Sequence, residues 1–90
     1  MIELKNIDLS KITINEQIQK YNEERREFEN ARYDYYIEKT KENRLHLIEE
    51  WFDSIQAFVG VLFKMYGITA EELMEYYNKY HLEKLKNRPR

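Results

Sequence analysis

Ninety residues make at most one domain, and so small a core leaves a lone chain marginal, so that association with a further copy is a common remedy. The composition, 42% hydrophobic and 14% aromatic against 36% charged, is globular rather than disordered; the lack of cysteine excludes disulfides and thiolate metal sites and suits a cytoplasmic setting. A formal net charge of −2 with acids and bases interspersed gives no broad nucleic-acid footprint, although residues 84–90 are locally basic, and the longest apolar run, Ala57 to Phe63, is too short to cross a membrane.

Residues 1–12 carry Ile2, Leu4, Ile7 and Leu9 and read as an extended arm or a short helical turn; their alternating charge is unlike a signal peptide. Thr13-Ile14-Asn15-Glu16 fits a capping box, a hydroxyl for an orphan amide with a Glu three residues later. From there Ile14, Ile18, Tyr21, Phe28 and Tyr35 recur at helical spacing, with no Gly or Pro before Lys39. Thr40-Lys41-Glu42-Asn43 predicts a turn. Leu45, Ile48, Phe52, Ile55, Val59, Leu62 and Tyr66 then alternate three and four apart, a seam for a partner helix, and Gly67 stops that helix. Thr69-Ala70-Glu71-Glu72 opens a third helix that runs through Leu73, Tyr76, Tyr77 and Tyr80 towards Leu85 and ends before Pro89. The fold class is all-α: one helical domain over 13–90, built as a bundle of three main helices per chain. The second helix is apolar over most of its circumference after Ile55, and three helices cannot easily surround it, so the bundle is expected to be completed by homo-oligomerisation.

Two pairs of acids, Glu24/Glu27 and Glu50/Asp53, stand three apart in helix interiors, where each pair shares a face. Glu23 lies four before Glu27 and Glu49 four before Asp53, so like charges crowd both pairs, at a few tenths of a kcal/mol each. Phe28, Ala31, Ser54 and Ala57, the residues four positions on, bring no basic partner. Glu24 falls within the apolar stripe of the first helix, and His46, Glu50, Asp53, Ala57 and Gly60 form a row on the second, away from its seam, that is expected to face the first. A carboxylate on a buried stripe is costly unless paired or metal-bound. A divalent metal would offset the repulsion; the competing reading is a solvated acidic face, since 17 of the 90 residues are acids. A third such pair, Glu72/Glu75, has a simpler explanation in the positive end of its helix.

Glu23-Glu24-Arg25-Arg26-Glu27, Glu49-Glu50-Trp51-Phe52-Asp53 and Tyr66-Gly67-Ile68-Thr69 with Glu71-Glu72 together resemble the all-α nucleoside triphosphate pyrophosphohydrolases, the MazG-like group related to the dimeric dUTPases and dCTPases. That family places ExxE on one helix and ExxD on the next. The resemblance runs from about Ile14 to Pro89. It departs in a short connection between the first two helices and in a closing helix without a clean copy of the family's Lys/Asn/Arg signature. It implies Mg²⁺-dependent hydrolysis of a nucleoside triphosphate to the monophosphate and pyrophosphate, a nucleotide-pool house-cleaning role, by a homodimer or homotetramer. Glu24, Glu27, Glu50 and Asp53 would hold the Mg²⁺, with Mn²⁺ a possible substitute; Mg²⁺ favours oxygen ligands in an octahedral shell. Glu23 or Glu49 would orient or deprotonate the attacking water.

Lys79, Lys84 and Arg88 are candidates to clamp phosphates, against a solvated basic face at a helix C-terminus. His46 reads as a surface residue or a partner for Glu50 rather than a ligand. Trp51 reads as interface packing rather than a base-stacking platform, and the Tyr-rich set as packing at a wet edge. With no Cys, two Ser and only Gly60 and Gly67 as glycines, neither a nucleophile set nor a Gly-rich phosphate loop is present. Two further readings stay open: a non-catalytic helical module that docks another protein, and a degenerate family member that keeps the fold without turnover.

Overall fold

The computed structural model describes residues 4–5 and 9–88. Ile2 and Ile7 of the expected arm, and Pro89 beyond the closing helix, lie outside the described residues. Among the described residues all regular structure is helical.

The first helix, α1 (Ile14–Ile37), begins at the expected capping box: the Glu16 amide donates to the Thr13 hydroxyl, and the Thr13 amide donates back to the Glu16 carboxylate. It ends where the Glu38 amide donates to Asp34 O. The segment 40–43, expected as a turn, instead starts the second helix, α2 (Lys41–Tyr66). The reason is local. Thr40 takes the Asn43 amide as an N-cap, and the Asn43 side chain donates to Glu38 O at 2.9 Å, so one polar cluster ends one helix and opens the next. Gly67 closes α2 at φ 70°, a conformation that suits glycine. Thr69 then takes the Glu72 amide and opens the third helix. That helix has three consecutive segments: α3 (Ala70–Tyr76), a π-helical turn at Tyr77–His81, and α4 (Leu82–Lys86).

α1 and α2 pack against each other as an antiparallel hairpin. The face of α1 that α2 covers most fully carries Gln17, Glu24 and Ala31, seven residues apart. The face of α2 that is buried carries Ser54, Ala57, Val59, Gly60 and Val61. These residues are small or polar, so the helices come close. A Cβ on Gly60 would lie 2.4 Å from Gln17 Nε2 and 3.3 Å from Leu9 Cδ1. Larger side chains flank this seam; Tyr21 stacks on Phe58 with ring centroids 4.8 Å apart. Of the expected α1 stripe, Ile18, Tyr21, Phe28 and Tyr35 are half-buried, whereas Ile14 is exposed because it sits at the free end of the hairpin.

The arm is tied across α2. The Lys64 ammonium donates to Leu9 O at 2.9 Å, the Gln56 amide donates to Lys5 O, and the Leu9 side chain is buried.

The third helix extends away from the hairpin and packs little on it. The molecule is therefore flat, 41 × 39 × 18 Å, with a radius of gyration of 15.4 Å. A compact chain of this length has a radius near 12 Å. Only alanines, Ala31 and Ala70, are wholly covered among the described residues. Leu45, Ile48, Phe52 and Tyr66 of the expected α2 seam remain exposed in the single chain, and Val59 alone of that seam is buried. Within one chain the bundle is thus a two-helix hairpin carrying a third helix at its side.

Candidate metal centre

The acidic row of α2 faces α1, as its phase on the helix requires. Glu24 and Glu27 from α1 and Glu50 from α2 each offer a carboxylate oxygen, and the three atoms lie within 4.8 Å of one another. Glu24 is buried, Glu50 half-buried and Glu27 exposed, so the cluster opens to solvent on the Glu27 side. Glu24 Oε2 and Glu50 Oε2 are both buried without a hydrogen-bond partner. An orphaned carboxylate oxygen is among the costlier things a small protein can bury.

The electrostatics carry the same strain. Burial pushes the Glu50 carboxyl above its ordinary value of 4.5; Glu27 and Asp53 push it further, His46 opposes them, and Glu24 adds a smaller contribution. His46 Nε2 stands 3.8 Å from Glu50 Oε1, beyond hydrogen-bonding distance, and His46 is exposed. It is a weak surface partner for Glu50, as expected.

Asp53 is half-buried one turn beyond Glu50 and lies outside the three-oxygen cluster. It lines an adjoining cleft of about 530 Å³ together with Glu24. The cleft runs between the arm and the two helices, with Leu9, Ile12, Ala57 and Gly60 as its apolar surface. Gln17 is fixed there by donating from Nε2 to Ala57 O at 3.0 Å.

The donor set suits a hard divalent cation. All three converging ligands are carboxylates, and octahedral Mg²⁺ with oxygens at 2.0–2.1 Å needs O···O separations of about 3.0 Å between neighbours and about 4.2 Å across the ion. The three oxygens, all within 4.8 Å of one another, lie near that scale, and Asp53 stands close enough to act on the charge of Glu50.

The remaining expected residues lie elsewhere. Glu23 and Glu49 are exposed and outside the cluster. Lys79 and Lys84 on the third helix, and Arg88 just beyond its end, are exposed and do not line the cleft. Lys79 donates to Glu75 at 2.8 Å, which holds the Glu75 carboxyl below its ordinary value. Trp51 is exposed, edge-on to Phe52 at 5.1 Å, and also outside the cleft.

Sequence reasoning missed Lys20. Its Nζ stands 2.8 Å from Glu24 Oε1, and that hydrogen bond, followed by the charge of Glu24, raises the Lys20 ammonium above its ordinary value. The signal was in the spacing, four residues before Glu24 rather than after it. Gln17 and Gln56 were missed as well, because a polar residue on an apolar stripe carries no pattern that distinguishes it from surface.

The chain matches no protein-family model, no curated protein and no solved structure. No helix among the described residues is long and apolar enough to cross a membrane.

Proposed function

We propose that the protein is a Mg²⁺-dependent nucleoside triphosphate pyrophosphohydrolase of MazG-like type, with Glu24, Glu27, Glu50 and Asp53 as metal ligands. The observation that carries this reading is the meeting of three carboxylates from two helices, two of them with buried and unpartnered oxygens. Such an arrangement is unfavourable alone and is relieved by a cation. A Mg²⁺ bound there supplies charge neutralisation for a triphosphate and acidifies an attacking water. The chain's own contribution is position. α1 and α2 hold the carboxylates, and the cleft beside Glu24 and Asp53 gives a bound molecule an apolar surface next to the acids. The resemblance in the ExxE and ExxD segments supports the choice of a nucleotide over other phosphorylated ligands.

The working form is a homo-oligomer. Its support is the flat single chain, whose α2 leaves Leu45, Ile48, Phe52 and Phe63 exposed, as a monomer of this size rarely does. In such an assembly Lys79, Lys84 and Arg88 of one copy are available to the acids of another, a role for which the single chain gives them no opportunity. Glu23 and Glu49 keep their proposed role on the attacking water only if substrate binding brings a rotamer change, since both face solvent.

The test is pyrophosphate release from a panel of canonical and modified triphosphates with Mg²⁺ or Mn²⁺, for the wild type and Glu50→Gln. Release by the wild type alone is expected. No release from any member of the panel at high protein concentration, with metal-induced stabilisation intact, would leave a metal-binding family member without turnover. Neither release nor stabilisation would leave the docking module, for which the exposed aromatic residues of α2 are the supporting observation.

A further inference from the structure

Lys20 stands on the boundary between the acids and the cleft. It lies one helical turn before Glu24, its ammonium is 2.8 Å from Glu24 Oε1, and its side chain is 60% exposed. Glu24 is therefore divided. One oxygen is held by Lys20, while the other is buried without a partner. The Glu24 side chain is only 9% exposed, so this orphan is not relieved by bulk water.

The charges lining the cleft give Lys20 a second task. Glu16, Glu24 and Asp53 contribute three negative charges and Lys20 one positive charge, which leaves the lining with a net charge of −2. A polyanion is repelled from such a cleft. Glu27 and Glu50 add negative charge beside the cleft; a divalent cation at the acids offsets part of the total, and it competes with the ammonium for Glu24. Among the described residues that line the cleft, Lys20 is the one cation. Its flexible four-carbon stem and exposure let the ammonium leave Glu24 without unfolding anything.

We propose that Lys20 is a resident counter-ion: it neutralises Glu24 in the metal-free protein, yields Glu24 to the divalent cation, and then binds phosphate oxygens of the ligand in the cleft. This rests on the metal reading above and adds to it a residue with two successive partners. The same side chain that opposes metal binding favours anion binding, so its removal changes the two affinities in opposite directions. A lysine that merely stabilises α1 through an ion pair gives no such crossing.

The experiment compares wild type, Lys20→Met and Lys20→Arg by calorimetric titration with Mn²⁺ alone, then with inorganic tripolyphosphate at saturating Mn²⁺. Tripolyphosphate is used because it needs no base pocket. Lys20→Met is expected to bind Mn²⁺ roughly two- to fivefold more tightly, the worth of one partly exposed ion pair. It is expected to bind tripolyphosphate about tenfold more weakly, the loss of one charged hydrogen bond, and Lys20→Arg is expected to restore most of that loss. Equal or weaker Mn²⁺ binding by Lys20→Met, with the wild type binding Mn²⁺ normally, overturns the role of Lys20 and leaves the metal reading standing. Unchanged tripolyphosphate affinity does the same. Absence of Mn²⁺ binding in all three proteins removes the metal reading and this proposal with it. Should Lys20→Met lose its helical circular dichroism, Lys20→Gln replaces it in the same comparison.

Discussion

Replacing Glu50 by Gln is expected to stabilise the metal-free protein and to abolish its response to metal. Distance sets the scale of the effect. Each pair among the Glu24, Glu27 and Glu50 oxygens is within 4.8 Å. Two unit charges at that separation repel by about 0.9 kcal/mol in water and about 3.5 kcal/mol at an effective dielectric of 20. Glu50 takes part in two of the three pairs. Glu27 is exposed and its pair is screened, and Lys20 already offsets part of the Glu24 charge, so the lower figure governs and the relief on removing the Glu50 charge is about 1–2 kcal/mol. For a chain of this size each kcal/mol moves Tm by about 4–8 °C. Glu50→Gln should therefore melt about 4–16 °C above the wild type at neutral pH without metal. The effect of metal runs the other way. Mg²⁺ at a hundred times its dissociation constant adds about 2.7 kcal/mol to the wild type, which is about 10–20 °C, and should add nothing to the variant. Differential scanning calorimetry of both proteins, with and without Mg²⁺, gives the four melting temperatures. A variant less stable than the wild type without metal, still raised by Mg²⁺, would refute the account of the cluster.

The same carboxyl sets a pH dependence. Because the folded-state value of Glu50 lies above 4.5, the native state holds more protons than the unfolded chain from near pH 4.5 up to that raised value. The Glu50 contribution to metal-free stability is thus lost as pH rises through that window, and urea midpoints should show a fall for the wild type that Glu50→Gln lacks. Gly60→Val drives a side chain into Gln17 and Leu9 and should cost about 1–3 kcal/mol, seen as a lower urea midpoint at unchanged m. Gly67→Ala keeps the contacts but strains φ 70°, and should cost about 1 kcal/mol with no change in metal affinity. Phe52→Asp places a charge on the exposed face of α2; it should weaken self-association at least tenfold by sedimentation, the worth of one buried aromatic side chain, while leaving the helical content of the chain intact.

Much of the hairpin was legible because its determinants are local. Thr13 with Glu16 and Gly67 with Thr69 fix helix ends through hydrogen bonds within a few residues, and the spacing of Glu24, Glu27 and Glu50 fixes their faces. The segment 40–43 departs from expectation because polar residues favour turns and N-caps alike; only Asn43 reaching back to Glu38 O decides between them. The third helix does not enter a bundle within the chain, because periodicity tells which face of a helix is apolar and says nothing of what covers it. Lys20 is hidden for a related reason. A basic partner is sought four residues after an acid, whereas the ion pair that matters points back along the helix.

The π-helical turn at Tyr77–His81 changes the heading of the helical segment beyond it. A widened turn accommodates one additional residue, and one residue in an α-helix is worth about 100° of rotation. An uninterrupted α-helix would carry Leu82 and Leu85 round towards the flank opposite Leu73. The extra residue turns them back, so that Leu73, Tyr77, Leu82 and Leu85, all half-buried, align along a single side. Five residues of altered winding thereby give the last rod one continuous greasy edge instead of two short ones set askew.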